Sequence, residues 1–357
     1  MMKAIVKTSY LPEGIHLLER PVPTIGEGDV LVRVKAAGLC GSDIHVYKSK
    51  EPLEFGRLNV IIGHEFAGEV VEVGSRVRHW KVGDRVASDN TGAVCGTCLS
   101  CMKGEPIHCE HRLGLGSDLD GGFAEYVRIG AEVLDVFPSC LIHIPDGLSY
   151  EEAAILDPVS NGYTAVVQHG GIVAGDSVAV VGVGPLGLAC INAAKAAGAL
   201  HIFAIVRKST SQTHREAARK LGATHILEQG TDDIPAIIRS LTHGEGVATS
   251  FECAGPTSLI EFCLPFTRNG GRIVRVGLDF GGAPLALNAV NQMTFRNISL
   301  IGHNGYNPQA WRYCADLLAA GILNCKDTIT HVLPLEEYDR GVELMLRREA
   351  IKVVFHP

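Results

Sequence analysis

Before Ile155, apolar positions come in short alternating runs. Val30-Leu31-Val32-Arg33-Val34, Gly68-Glu69-Val70-Val71-Glu72-Val73-Gly74 and Phe123-Ala124-Glu125-Tyr126-Val127 carry this pattern, with turns at Gly74-Ser75 and Gly83-Asp84. Short alternating runs bounded by glycines predict strands, and their density predicts a β-barrel-like domain. At Ser149 the texture changes. Ser149-Tyr150-Glu151-Glu152 has the spacing of a capping box and predicts a helix through Ala154. Beyond it, predicted strands (Val178–Val181, His201–Val206, Ala223–Leu227, Val247–Cys253, Arg272–Val276) alternate with helices (Pro185–Ala197, Thr213–Leu221, Asp232–Thr242, and one after Cys253). Gly198 and Gly222 close the first two of these helices. Such alternation is the signature of a doubly wound parallel sheet, so the fold class is α/β. After Arg296 the rhythm changes again, and the tail is expected to rejoin the first domain.

The chain has 357 residues, an apolar fraction of 46% and a formal net charge of −7. This length suggests about two domains with sizeable cores. No run of Lys and Arg is long enough for a nucleic-acid footprint, so nucleic acid is not an expected partner. Ser177 to Ala194 carries no charge, but Gly182, Gly184, Pro185 and Gly187 break it. A strand, a turn and a buried helix explain that stretch better than a membrane span. The N-terminal Met1-Met2-Lys3-Ala4-Ile5-Val6-Lys7 lacks an apolar segment of signal-peptide length. Eleven cysteines without a secretory signal therefore imply reduced thiols and a cytoplasmic protein, with metal ligation favoured over disulfides.

Four of these cysteines, Cys95, Cys98, Cys101 and Cys109, cluster in one stretch. Two-residue gaps let successive thiolates turn onto one tetrahedral ion, and the fourth closes the shell. A closed shell holds zinc as a staple and does no chemistry. Cys140, Cys190, Cys253, Cys263, Cys314 and Cys325 stand singly and read as buried, inert thiols.

Gly182-Val183-Gly184-Pro185-Leu186-Gly187 fits G-x-G-x-x-G, follows a predicted strand and opens a predicted helix. That context predicts a dinucleotide site: Gly182 for the tight turn, Gly184 for approach to a pyrophosphate, Gly187 for helix–strand packing. Pro185 suits the first helical turn. The next strand should end in a carboxylate if the cofactor is NAD. Val206 stands there instead, followed by Arg207 and Lys208. Two cations suit a 2′-phosphate, so NADP is the expected member of the NAD(P) pair. Solvated surface cations with relaxed selectivity are the alternative.

A second candidate metal site combines Cys40, in Cys40-Gly41-Ser42-Asp43-Ile44-His45, with Gly63-His64-Glu65. Thiolate, imidazole and carboxylate are the ligand types of an open zinc site. Neighbouring strand residues point to opposite faces, so Glu65 can join His64 on one ion only if the backbone bends there.

With these motifs in order, the chain resembles the zinc-dependent medium-chain dehydrogenase/reductase (alcohol dehydrogenase) family over nearly its whole length. Gly63-His64-Glu65-x-x-Gly68-x5-Gly74 matches the family's zinc signature, the Cys95–Cys109 lobe its structural zinc loop, and Gly182 to Gly187 its cofactor turn. Gly83-Asp84-Arg85-Val86 also fits, and Gly38-Leu39-Cys40-Gly41-Ser42-Asp43 is most similar to the polyol (sorbitol), butanediol and threonine dehydrogenase branch. The resemblance implies a GroES-like catalytic domain over 1–156, a Rossmann domain over 157–296 and a return to the catalytic domain over 297–357. It implies two zinc ions, one structural and one catalytic on Cys40, His64 and Glu65. Asp157, in Ile155-Leu156-Asp157-Pro158, stands where the branch often adds a carboxylate. Its side chain is shorter, so reach through a water, or a role only in ending a helix before Pro158, remains open.

The implied activity is reversible oxidation of an alcohol with hydride transfer to NAD(P). Ser42 and His45 would pass the proton to water, and Asp43 would orient a metal ligand. The expected substrate is a secondary alcohol, a polyol or sugar alcohol with or without a phosphate. A hydroxy-amino acid such as threonine is the second choice. A zinc-stapled binding module without catalysis is a rival of another class, opposed by the net charge. The family also implies a homodimer or homotetramer.

Overall fold

Val30-Leu31-Val32-Arg33-Val34 lies in the strand Val30–Gly38, the organising element of the first half of the chain. The computed structural model describes residues 1–11, 14–48, 56–279 and 282–357. These divide into two compact units. The first comprises Met1–Asp157, Asn307–Ala320 and Ile329–Pro357, and the second Pro158–Tyr306 and Gly321–Thr328.

In the first unit, Val30–Gly38 pairs antiparallel with Glu65–Val73 along its length. Its other edge takes Tyr126–Ile129 near the start and Lys352–His356 near the end. The C-terminal strand thus lies beside the segment leading to Cys40. Buried Val30, Val32, Val34, Phe66, Phe123 and Phe355 form the core. The Phe123 ring meets Phe355 edge-on at 5.5 Å between centroids.

The capping box forms: the Ser149 hydroxyl accepts from the Glu152 N–H at 3.2 Å, and the Glu152 carboxylate accepts from the Ser149 N–H at 3.1 Å. The helix Tyr150–Ala154 follows. Pro158 does not end a helix. It occupies the first turn of a new one, Leu156–Tyr163, where its missing N–H costs nothing.

The second unit contains a parallel sheet in the order His225–Gln229, His201–Arg207, Ser177–Val181, Val247–Glu252, Thr267–Arg275, Ser299–Gly302. Strand order reverses between Ser177–Val181 and Val247–Glu252, and open α/β sheets place ligands at the carboxyl ends of strands at such a point. Ser299–Gly302 is an edge strand that the alternation did not signal, because it is short and only half-covered. It carries the second unit past Arg296, as far as Tyr306. Among the described residues, no helix is long and apolar enough to cross a membrane.

Candidate active site

The structure gathers Cys40, His64 and Glu65, each offering one donor atom, with the three atoms within 4.8 Å of one another. The required bend lies at Gly63, whose φ of +91° is left-handed backbone. A Cβ there would also sit 2.5 Å from the Phe123 ring, so core packing and the bend demand the same residue. His64 precedes the strand, which starts at Glu65. The two side chains are therefore freed from strand alternation.

Around the trio, Asp43 on the helix Gly41–Lys48 is 3% exposed. One oxygen accepts the Cys40 N–H at 2.9 Å, and the other faces His64 Nδ1 at 3.5 Å. Burial disfavours a charged His64, but Asp43 and the Cys40 sulfur outweigh it and raise its pKa. With Nδ1 held by Asp43, Nε2 is the nitrogen left for a metal. Ser42 Oγ lies 3.4 Å from that Nε2. His45 is on the same helix and exposed; desolvation first, then Lys48, lower its pKa below the ordinary imidazole value.

Lys352 was missing from the expected site. Its ammonium lies 2.7 Å from Glu65 Oε1 and 2.5 Å from Oε2, with both side chains buried. Burial works against its charge, yet Glu65 and Cys40 raise its pKa, so it remains a cation. Only Oε1 meets hydrogen-bond geometry with the ammonium; Oε2 is in ion-pair contact with it but makes no hydrogen bond among the described residues. A buried carboxylate gathered with a thiol and an imidazole is a donor set that fits a divalent metal of zinc type. The signal was available in sequence as a lone cation in the apolar run Ile351-Lys352-Val353-Val354-Phe355.

Asp157 is not a member of the donor trio. It is buried, and its Oδ2 accepts from Asn90 Nδ2 at 3.1 Å. The helix start at Leu156 directs the short carboxylate toward Asn90 rather than into the group.

The cysteine lobe forms a separate group of Cys95, Cys98, Cys101 and Cys109, again within 4.8 Å. Tetrahedral sulfurs on one zinc stand about 3.8 Å apart for bonds of about 2.3 Å. Cys95 Sγ lies 3.6 Å from Cys109 Sγ and 4.0 Å from Cys101 Sγ. The Cys98 N–H donates to Cys95 Sγ at 3.3 Å, and the Cys95 N–H to Cys109 Sγ at 3.5 Å. The Thr97 and Cys98 N–H groups pull Cys95 down to about 6, while burial and its cysteine neighbours push Cys101 up to about 12. Cys95 is thus poised as a thiolate ligand, and metal binding would take the proton from Cys101. The donor set fits a closed zinc site.

In the second unit, Gly182 has φ +96° at the end of Ser177–Val181, and Gly184 caps the helix Pro185–Ala196. A Cβ at Gly187 would lie 2.0 Å from the Gly182 carbonyl, so the turn closes only on glycine. Nothing lies within 4 Å of the missing Gly184 Cβ, which leaves room for a ligand to approach the backbone. Leu186 is half-buried in the first helical turn, whose free N–H groups suit a phosphate. Val206 is buried in the sheet, and Arg207 and Lys208 are exposed beyond it. A carboxylate does lie in register with Val206 on the neighbouring strand, Glu228, but Arg215 holds it at 2.7 Å.

Residues 26–139 match the alcohol dehydrogenase GroES-like domain, and residues 185–320 match the zinc-binding dehydrogenase family. The chain belongs to the zinc-binding alcohol dehydrogenase family. It is 37% identical to an L-threonine 3-dehydrogenase of Caldanaerobacter subterraneus subsp. tengcongensis, over 100% of this chain and 99% of that one. It is 34% identical to a sorbitol dehydrogenase of Halalkalibacterium halodurans, over 100% and 99%. A solved zinc-binding dehydrogenase of Sinorhizobium meliloti, bound to NADP, superposes with a TM-score of 0.89 at 30% identity, covering 100% of this chain and 99% of that one. The fold is accordingly GroES-like plus Rossmann, as the resemblance implied, and the chain is an alcohol dehydrogenase-family oxidoreductase.

Proposed function

We propose that this chain oxidises a secondary alcohol, a polyol or sugar alcohol, to the ketone with a catalytic zinc and NADP. The observation that carries the reading is the Cys40–His64–Glu65 trio, an open set of thiol, imidazole and carboxylate donors within 4.8 Å of one another. Cys40, His64 and Glu65 would hold a zinc that supplies Lewis acidity to a substrate hydroxyl, and the Gly182 turn would hold a nicotinamide cofactor that supplies the hydride acceptor. The protein's own groups manage orientation and the proton. Asp43 fixes the His64 tautomer and holds the Cys40 backbone. Ser42, beside His64, would relay the hydroxyl proton, accepting it as it passes its own proton on toward His45. His45, three residues on and exposed, is neutral at pH 7 because its pKa is lowered, so it can accept that proton and release it to water.

NADP is favoured because the second strand ends without an available carboxylate. Val206 is apolar and buried, Glu228 is neutralised by Arg215, and Arg207 and Lys208 offer positive charge. The NADP-bound relative supports the same choice.

A second reading, oxidation of a hydroxy-amino acid such as threonine, is supported by the relative of that name and by Asp157-Pro158 with Asn161. A panel of polyols, sugar alcohols, threonine and simple secondary alcohols, each with NAD and NADP, separates the two by absorbance of the reduced ring. Polyol turnover with higher kcat/KM for NADP is expected. Turnover of threonine alone would replace the first reading with the second.

A further inference from the structure

The Gly182 turn has a facing wall, and a buried carboxylate builds it. Glu252 ends the strand Val247–Glu252, beside Ser177–Val181 where the strand order reverses. Its side chain is buried, and Oε1 accepts from the Ala254 N–H and the Gly255 N–H, each at 2.7 Å. The Glu252 carbonyl accepts from the Val276 and Gly277 N–H groups, each at 2.8 Å. Arg275, the register partner of Glu252 on the neighbouring strand, donates through Nη2 to the Gly255 carbonyl at 2.9 Å. The Ala254–Gly255 turn is thus gripped from one side by a carboxyl oxygen and from the other by a guanidinium.

The grip leaves little slack. Gly255 has φ +107°, and a Cβ there would lie 2.5 Å from the Leu278 carbonyl oxygen. A Cβ on Gly277 would lie 2.4 Å from the Gly255 nitrogen and 2.9 Å from Glu252 Oε2. Backbone therefore packs on backbone around the turn. What the turn presents is Ala254, which is exposed while Glu252 and Gly255 are buried. The missing Cβ of Gly182 marks a point 2.9 Å from Ala254 Cβ and 3.2 Å from Ala254 N. That of Gly187 lies 3.4 Å from the Cβ of the adjoining Cys253. The turn thus stands against both ends of the glycine motif, at the carboxyl ends of the strands where such sheets bind ligands. A small displacement of Ala254 would change the surface offered to a dinucleotide, and ligand geometry is sensitive to small displacements.

We propose that Glu252 and Arg275 are positioning residues that hold the Ala254–Gly255 turn against Gly182, and so set how tightly the second unit keeps its nicotinamide cofactor. This rests on the reading of the Gly182 turn as the cofactor site. Oε1 carries both side-chain hydrogen bonds, and Oε2 makes none among the described residues. The turn therefore needs an acceptor oxygen at that point rather than a second oxygen.

The test titrates NADPH and NADH into the purified full-length protein and follows fluorescence of the reduced ring, with thermal melts alongside. Whichever of the two binds wild type more tightly is the probe for the variants. Glu252→Met removes the acceptor at similar length and should raise the probe's Kd by about tenfold, the scale of one buried hydrogen bond. Glu252→Gln keeps an acceptor oxygen but buries an NH2 group with no acceptor given for it. It should lower the melting temperature while leaving Kd within about twofold of wild type. Arg275→Met loses the donor to the Gly255 carbonyl and should raise Kd by about threefold, a weaker hydrogen bond's worth. A merely structural role would make affinity follow melting temperature across the three. An unchanged Kd in folded Glu252→Met overturns the proposal, as does a loss in Glu252→Gln equal to that in Glu252→Met. Wild type that binds neither NADPH nor NADH overturns the cofactor-site reading itself, and the proposal with it. Should Glu252→Met fail to fold, Arg275→Met and Glu252→Gln decide by the same readout: raised Kd in the first with unchanged Kd in the second supports the proposal, and any other pairing overturns it.

Discussion

The two thiol-bearing sites of the first unit differ in how their donors are brought together. The lobe takes four cysteines from one short loop and arranges them with its own backbone N–H groups. The open site takes Cys40 from beyond one strand and His64 and Glu65 from the start of another, then sets Lys352 of the C-terminal strand against them. Four like donors saturate a tetrahedral ion, whereas three unlike donors and a buried cation leave the carboxylate contested. A closed site can only hold; an open, contested one can exchange ligands.

The largest expected effect tests the first half of that contrast. Cys98→Ser should cost folding or assembly, because structural zinc contributes folding free energy of about 10 kcal/mol or more in small zinc domains. The measurement is the melting temperature, alongside kcat per folded chain. A normal melt with lost turnover would reverse the roles given to the two sites.

Lys352→Met probes the second half. It leaves Glu65 buried without its counter-charge, at a cost of about 3–5 kcal/mol. Bound metal replaces that charge, so denaturant melts should show a larger loss in chelator-treated protein than in metal-loaded protein. Equal losses would mean that Glu65 does not meet the metal.

His45→Gln bears on the proton path. Because the His45 pKa is lowered, the imidazole stays an acceptor from neutral pH down to that lowered pKa, where solvent base is scarce. The variant should lose about a hundredfold in alcohol oxidation there, and less as pH rises. A pH–rate profile parallel to wild type excludes the relay.

The smallest effect lies in the second unit. Arg207→Ala with Lys208→Ala should lower kcat/KM for NADP by about tenfold, the scale of one or two screened charge contacts, and leave NAD nearly unchanged. Equal losses with both cofactors would remove these side chains from 2′-phosphate recognition.

The same contrast accounts for what the sequence disclosed. The cysteine lobe, the glycine turn and the Ser149 capping box are local, so spacing alone exposed them. The two-unit α/β plan followed from periodicity. Lys352 stayed hidden because its meaning depends on a partner far along the chain. Asn90 stayed hidden because an amide in a loop has no signature until its hydrogen bonds are known. Asp157 was noticed, but its direction depends on a helix that starts at Leu156 and accommodates Pro158 instead of stopping there. The edge strand Ser299–Gly302 was too short for its alternation to register.

Stepwise chelation tests the central claim most directly. Metal content, far-ultraviolet circular dichroism and alcohol oxidation are followed together as chelator is added. The account predicts that activity disappears with the first metal released while the fold persists, and that the fold loosens only with the second. Activity that survives loss of the first metal, or a fold that fails with it, would contradict the assignment of chemistry to Cys40, His64 and Glu65.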